Sequence, residues 1–211
     1  MSYPVAHIMT KLISKRILFA AGFVLALPFI IPTFLEKLLL GEKHERILGW
    51  CKEILSIVPT IIGEYIRLGY YRSVCREISL DTCLMFGSML AHRNTIIRAG
   101  TVVGAYSIIG YADIGENVLF GAGVSLISGK YQHGRPQDRI GGGAATEIYE
   151  IIRIGSNCWI GQSAIILANI GENCTIGAGS VVYKDVPPNS TYMGNPARKV
   201  NLEQLPTIKE N

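Results

Sequence analysis

The stretch ISLDTCLMFGSMLAHRNTIIRAGTVVGAYSIIGYADIGENVLFGAGVSL, Ile78 to Leu126, decides the fold, because an aliphatic or aromatic residue returns at every sixth position: Ile78, Leu84, Leu90, Ile96, Val102, Ile108, Ile114, Phe120 and Leu126. A helix would repeat every 3.6 residues and a half-buried strand every two, so neither accounts for the period. Six residues suit a short strand, a tight corner and one inward side chain per strand. The small residues in IGENVL and FGAGVS sit where a corner needs backbone freedom. One such unit cannot bury its apolar residue alone, so the units must stack into a solenoid around a continuous core.

The period stops at SGKYQHGRPQDR, Ser128 to Arg139, and resumes about 25 residues later at Ile154, Ile160, Ile166, Ile170, Ile176 and Val182. Ile166 and Ile170 are four apart, so the corner in ILANIG is two residues short and displaces Ala168 and Asn169. An aperiodic connection of this length in a compact domain is either functional or disordered. It holds a single histidine, His133.

Ahead of the repeats the sequence has another character. The 211 residues are 49% hydrophobic with a mean hydropathy of +0.30, and the apolar excess lies in the first 70 positions. Ile17 to Leu35 runs without a charge over about one bilayer thickness. Pro28 and Pro32 interrupt that run, and basic residues flank it on both sides, with Lys11, Lys15 and Arg16 before it and Lys37, Lys43, Arg46 and Lys52 after it. By the positive-inside rule both ends face the cytosol, which favours a kinked, re-entrant or peripheral segment over a crossing. An apolar helix packed on a partner subunit is the alternative. EYIRLGYYRSVCR mixes Arg67, Arg72 and Arg76 with Tyr65, Tyr70 and Tyr71, as a helix at a membrane surface would, or as a solvated helix face. The chain therefore divides into an apolar, helical, membrane-associating region (1–77), a β-solenoid (78–200) and a tail (201–211).

The net charge of +4 and pI near 8.8 suit anionic lipid or phosphorylated ligands and are too mild for nucleic acid. Five cysteines without CxxC or Cys/His spacing read as reduced thiols, not as a disulfide framework or a metal site.

From Ile78 to Val200 the sequence resembles the hexapeptide-repeat acyltransferases. The end of the chain, NCWIGQSAIILANIGENCTIGAGSVVYKDVPPNSTYMGNPARKV (Asn157 to Val200), is similar to the sugar and xenobiotic O-acetyltransferase branch. The resemblance implies a mainly β fold, a left-handed parallel β-helix of about five coils with one long loop. It also implies a homotrimer and direct transfer of an acyl group, most simply acetyl, from acyl-CoA with no metal. The γ-class carbonic anhydrases share the fold, but His92 and His133 alone cannot supply their three zinc-binding histidines.

The resemblance makes His133 the catalytic base, with Asp138, Glu147 and Glu150 as open choices for its acidic partner. It places Trp159 beside the acyl group, Gly161, Ala178 and Gly179 along the pantetheine, and Lys184 and Arg198 near the CoA phosphates. The three small residues are equally what solenoid corners require. His92 lies two coils below the loop and either binds the acceptor or is an ordinary surface histidine. Cys158 and Cys174 belong to the wall. The expectation is an O-acyltransferase acting on a hydroxyl of a saccharide or lipid-linked saccharide at the cytoplasmic side of the membrane. The rivals are a soluble xenobiotic or sugar N- or O-acetyltransferase and a non-catalytic trimeric membrane scaffold.

Overall fold

The computed structural model describes residues 5–129 and 149–201, with side chains from residue 15 onward. Three helices, α1 (Val5–Leu40), α2 (Arg46–Ser56) and α3 (Thr60–Val74), precede a parallel β-solenoid with three faces. The first face stacks β1 (Glu77–Ile78), β4 (Ile96–Ile97), β7 (Ala112–Ile114) and β10 (Ile152–Ile154). The second stacks β2 (Cys83–Leu84), β5 (Val102–Val103), β8 (Leu119–Phe120), β11 (Trp159–Ile160), β13 (Thr175–Ile176) and β15 (Thr191–Met193), and β16 (Arg198–Val200) closes it antiparallel to β15. The third stacks β3 (Met89–Leu90), β6 (Ile108–Ile109), β9 (Ser125–Leu126), β12 (Ile165–Ile166) and β14 (Val181–Val182). About five coils result.

The six-residue period is right, and its phase is corrected at three positions. The buried residues are Ile78, Leu84, Leu90, Ile97, Val103, Ile109, Ile114, Phe120 and Leu126, each at most 2% exposed. Ile96, Val102 and Ile108, expected inside, are the outward members of the doublets Ile96–Ile97, Val102–Val103 and Ile108–Ile109. The corner AHRNT holds one residue more than a regular hexad and the corner after Ile109 one fewer, so the phase slips and then recovers.

The short corner at ILANIG is present, and side chains replace the missing backbone. Ile170 still bridges Ile154 below and Val186 above. The Arg153 amide donates to Asn169 Oδ1 (2.8 Å), and the Asn169 amide in turn donates to Asp185 Oδ1 (3.1 Å). On the next corner a side-chain ladder, Asn117 to Asn157 to Asn173 to Asn189, runs up the outside at 3.0–3.3 Å per step. All four residues have φ of 55–59°, a left-handed conformation that asparagine tolerates. Cys158 and Cys174 lie inside the solenoid, 2% and 1% exposed, their thiols donating to Gly171 O (3.0 Å) and Pro187 O (3.1 Å).

A solenoid leaves unpaired backbone groups at each end. At the first coil α3 satisfies one on every face. Arg72 donates to Ile78 O (2.6 Å), Arg67 to Leu84 O (3.1 Å), and the Leu90 amide donates to the Tyr71 hydroxyl (3.1 Å). Arg67 also donates to Leu55 O and Val58 O and is 1% exposed, like Tyr71, while Tyr70 is fully buried. These three residues, expected at headgroup depth, are the polar plug of the core. Only Arg72 and Arg76 of the arginines in that segment face out. At the far end, the turn before β16 covers the third face, the Ala197 amide donating to Val181 O (2.9 Å).

α1 is one continuous helix through Pro28 and Pro32, so the expected break in the run is corrected. It is held from outside. Gly22 lies against Tyr65 of α3 and Gly69 of α3 against Phe23, so closely that a Cβ on either would fall within 2.5–2.9 Å of backbone. Thr33, after Pro32, donates to Phe29 O (2.8 Å) and meets the Tyr70 hydroxyl at 3.0 Å. Lys15 pairs with Asp81, and Glu36 with the buried Arg93 (3.3 Å). Both partners belong to the first coil. α1 therefore lies across the end of the solenoid with its outer face free, where Val24, Ile31, Phe34, Leu38, Leu39 and Leu40 are 54–75% exposed.

Candidate functional site

The corner between the third face and the first carries His92 on the first coil, Tyr111 on the second, the departure of the 130–148 segment on the third, and Tyr183 to Asp185 on the fifth. His133, Asp138 and Glu147 lie outside the described residues. Glu150 is described and exposed, its amide donating to Ser128 O (3.0 Å), so the chain leaves and re-enters at neighbouring points.

At the near end of this corner, the His92 Nδ1 is 2.8 Å from Glu45 Oε2. The second oxygen of Glu45 accepts the Arg93 amide (2.8 Å). Arg93 itself donates to His44 O (2.7 Å) and Glu36, and Glu36 accepts the Ile47 amide (2.8 Å), so the link between α1 and α2 is fixed to the first coil. The His92 ring packs at 4.3 Å from the ring of Tyr149 and 6.1 Å from that of Tyr111. These residues line a cavity of about 530 Å³. Sequence reasoning found His92 and missed Glu45, Tyr111 and Tyr149, since no local spacing ties Glu45 to a histidine 47 positions later.

At the far end Lys184 and Arg198, fourteen residues apart, line one cavity of about 430 Å³ on either side of Tyr183. The Lys184 ammonium is 5.5 Å and the Arg198 guanidinium 5.8 Å from the Tyr183 ring centre. Hydrogen bonding from Arg198, then the two positive charges, hold the Tyr183 hydroxyl below its ordinary range. Lys199 and Asp185 line the same hollow, which thus holds three cations and one carboxylate.

The remaining expected residues lie elsewhere. Trp159 is 54% exposed on the second face, beside Leu119. Gly161, Ala178 and Gly179 lie on the corner between the second and third faces. A Cβ on Gly161 would sit 2.4 Å from the Ala178 amide nitrogen, so glycine is compulsory there for stacking alone. Gly179 differs, with φ +67° and open space around it. Within one chain Lys184 lies on the next corner, beyond β14 of the third face, whereas Arg198 belongs to β16 on the second face, paired with Met193. Among the described residues no group of three or more His, Cys, Asp or Glu side chains is placed to hold a metal ion.

Comparison with known proteins agrees with this architecture. A family model for the hexapeptide repeat of succinyl-transferase matches residues 151–184. A maltose O-acetyltransferase from Clostridium difficile 630 is 24% identical with a TM-score of 0.51, over 72% of this chain and 84% of that one. A hexapeptide-repeat-containing acetyltransferase from Vibrio cholerae is 20% identical, over 72% and 86% of the two chains, at a TM-score of 0.47. A mutant N-acyltransferase, AntD from Bacillus cereus, in complex with a dTDP-amino-dideoxyglucose and coenzyme A, is 13% identical over 61% and 84%, at 0.44. No curated protein matches the sequence. Residues 151–184 thus carry the hexapeptide repeat, and the described chain has the parallel β-solenoid fold.

Proposed function

We propose that the protein is an acyl-CoA-dependent O-acyltransferase, using acetyl-CoA in the simplest case, that modifies a hydroxyl of a saccharide or lipid-linked saccharide at the cytoplasmic face of a membrane. The observation that carries the reading is the convergence of Lys184 and Arg198 on Tyr183 at the end of a hexapeptide-repeat solenoid, where a CoA phosphate finds two cations. Trp159, Gly161, Ala178 and Gly179 then line the acyl and pantetheine end of the donor. In the resembled family the donor lies between neighbouring copies of the chain, so the reading includes a homotrimer.

His133 acts as general base. The acceptor hydroxyl gives its proton to the imidazole while its oxygen attacks the thioester carbonyl. The tetrahedral intermediate then collapses with cleavage of the C–S bond, and the imidazolium returns the proton to the leaving thiolate. The products are the ester and free CoA, and no covalent acyl-enzyme is needed.

α1 supports the membrane clause. From Lys15 to Leu40 it is long and apolar enough to cross a bilayer by length and composition, and an 18-residue window within it has a mean hydropathy of 2.3 with 17% of its residues buried. Yet it is tied to the first coil through both Lys15 and Glu36. An in-plane helix, apolar side in the lipid, satisfies both facts.

Thiol release from acetyl-CoA in the presence of membrane extract tests the reading, wild type against His133→Ala. Turnover is expected to fall by roughly 10²–10⁴. Equal turnover would remove His133 from the mechanism, and no release from the wild type would favour a scaffold.

A further inference from the structure

We propose that the cavity between the α1–α2 link and the first two coils is the acceptor subsite, built for the sugar head of an amphiphile whose hydrocarbon chain lies along the last turn of α1. The inference deepens the acyltransferase reading and rests on it for the word acceptor, but its binding chemistry stands on the cavity alone.

Among the described residues three separate parts of the chain line the cavity: Glu42, Lys43 and Glu45 from the link, His92 and Asn94 with Tyr111 from successive corners, and Tyr149 where the chain re-enters the solenoid. Its volume of about 530 Å³ lies within the roughly 300–1,000 Å³ of small-molecule sites. A carboxylate can only accept, so the hydrogen between Glu45 and His92 resides on Nδ1, which leaves Nε2 for a ligand. Nε2 is thus the ring atom that meets a ligand hydroxyl, which can both donate and accept, on a ring that cannot turn away, because Glu45 is itself held by the Arg93 amide and the two side chains are only 15% and 22% exposed.

An ordinary surface histidine needs no such fixture. The tyrosine rings beside His92 offer apolar faces to the C–H side of a pyranose, and Asn94, Glu42 and Lys43 supply donors and acceptors for its hydroxyls.

The hydrocarbon clause follows from what adjoins the cavity. Leu38, Leu39 and Leu40 are 69%, 75% and 60% exposed. Leu40 is two residues from Glu42, hence within about 8 Å along the chain. An apolar surface thus ends at the rim of a polar pocket, the arrangement that an amphiphilic glycoside matches and a free sugar or a plain lipid does not. Tyr149 is also the first described residue after the segment that contains His133.

Binding of four n-octyl glycosides (glucoside, galactoside, mannoside and N-acetylglucosaminide) to the full-length protein, below their micellar concentrations, tests this. The controls are the matching methyl glycosides, which lack the chain, and octyl tetraethylene glycol, which lacks the sugar. At least one octyl glycoside is expected to bind tenfold or more tightly than both of its controls, and His92→Ala and Tyr149→Ala to abolish the margin while circular dichroism stays unchanged. Two outcomes overturn the proposal: no octyl glycoside exceeding both controls, or a margin that survives both substitutions. The assay needs no acyl donor. Absence of thiol release would therefore sink the acyl-transfer reading while leaving a measured sugar preference standing.

Discussion

At Arg67 a single side chain joins the helical region to the solenoid, donating to carbonyls of Leu55, Val58 and Leu84 from a fully enclosed position. Replacing it with methionine fills similar space but leaves those carbonyls without a donor, at a cost on the order of 3 kcal/mol. Urea unfolding of Arg67→Met should show this as a lowered midpoint, whereas Arg76→Met, outside the plug, should unfold like the wild type. The thiols offer a second check at this scale. Burial pushes the Cys158 thiol up to about 11 and Cys83 up to about 12. With the folded value raised, the thiol stays protonated at pH 8, with on the order of one thiolate in a thousand for Cys158. Iodoacetamide at pH 8 should label Cys158 far more slowly in the native protein than in guanidinium, as peptide mass spectrometry would read out. Equal rates would mean that the wall is open there. Gly161 and Gly179 separate stacking from binding. Gly161→Ala should destabilise by about 1–3 kcal/mol through overpacking. Gly179→Ala, with open space around it, should cost only about 1 kcal/mol of backbone strain and reveal any donor contact as a raised KM for acyl-CoA.

At the scale of elements, the repeat was legible and its phase was not. The doublets Ile96–Ile97, Val102–Val103 and Ile108–Ile109 offer an aliphatic residue at both candidate positions, so the period alone cannot say which points inward. What decides is the extra residue in the corner AHRNT, which bulges to present His92 and Arg93 to the α1–α2 link. The short corner at ILANIG was legible because two missing residues leave a gap in the count. The plug on α3 was not, because Arg and Tyr among aliphatics serve a solenoid end and a lipid surface alike, and only the partner tells them apart. The Glu45–His92 pair was invisible for the same reason, being made by packing across 47 residues. The Lys184–Arg198 pair was legible only through resemblance. An element-level prediction follows from the free face of α1: Leu38→Ser, Leu39→Ser and Leu40→Ser combined should weaken co-flotation with phosphatidylglycerol-containing vesicles at least fivefold while leaving the Glu36–Arg93 anchor untouched. Undiminished flotation would place the lipid contact elsewhere.

At the scale of the whole molecule, neighbouring coils touch only each other, so stability propagates from the plug at one end to the β15–β16 pair at the other. A donor touching Gly179 on one copy and Lys184 on the next requires assembly. Lys184→Ala and Arg198→Ala should each raise the KM for acetyl-CoA about tenfold and raise it less for the donor lacking the 3′-phosphate, with the sedimentation coefficient unchanged. A sedimentation coefficient of a monomer for the active wild-type protein would contradict the shared site. The pinning of α1 to the first coil at Lys15 and at Glu36 has one more consequence. If that helix floats in the surface of a bilayer, the solenoid stands upright on it, and each coil becomes a rung about 4.8 Å higher. The cavity with His92 then sits at the foot, level with the headgroups, and the hollow with Lys184 four rungs up, roughly 20 Å into the water. The number of coils would be a ruler, setting how far above the membrane a soluble donor is gripped while its other end reaches down to an acceptor that cannot leave the lipid.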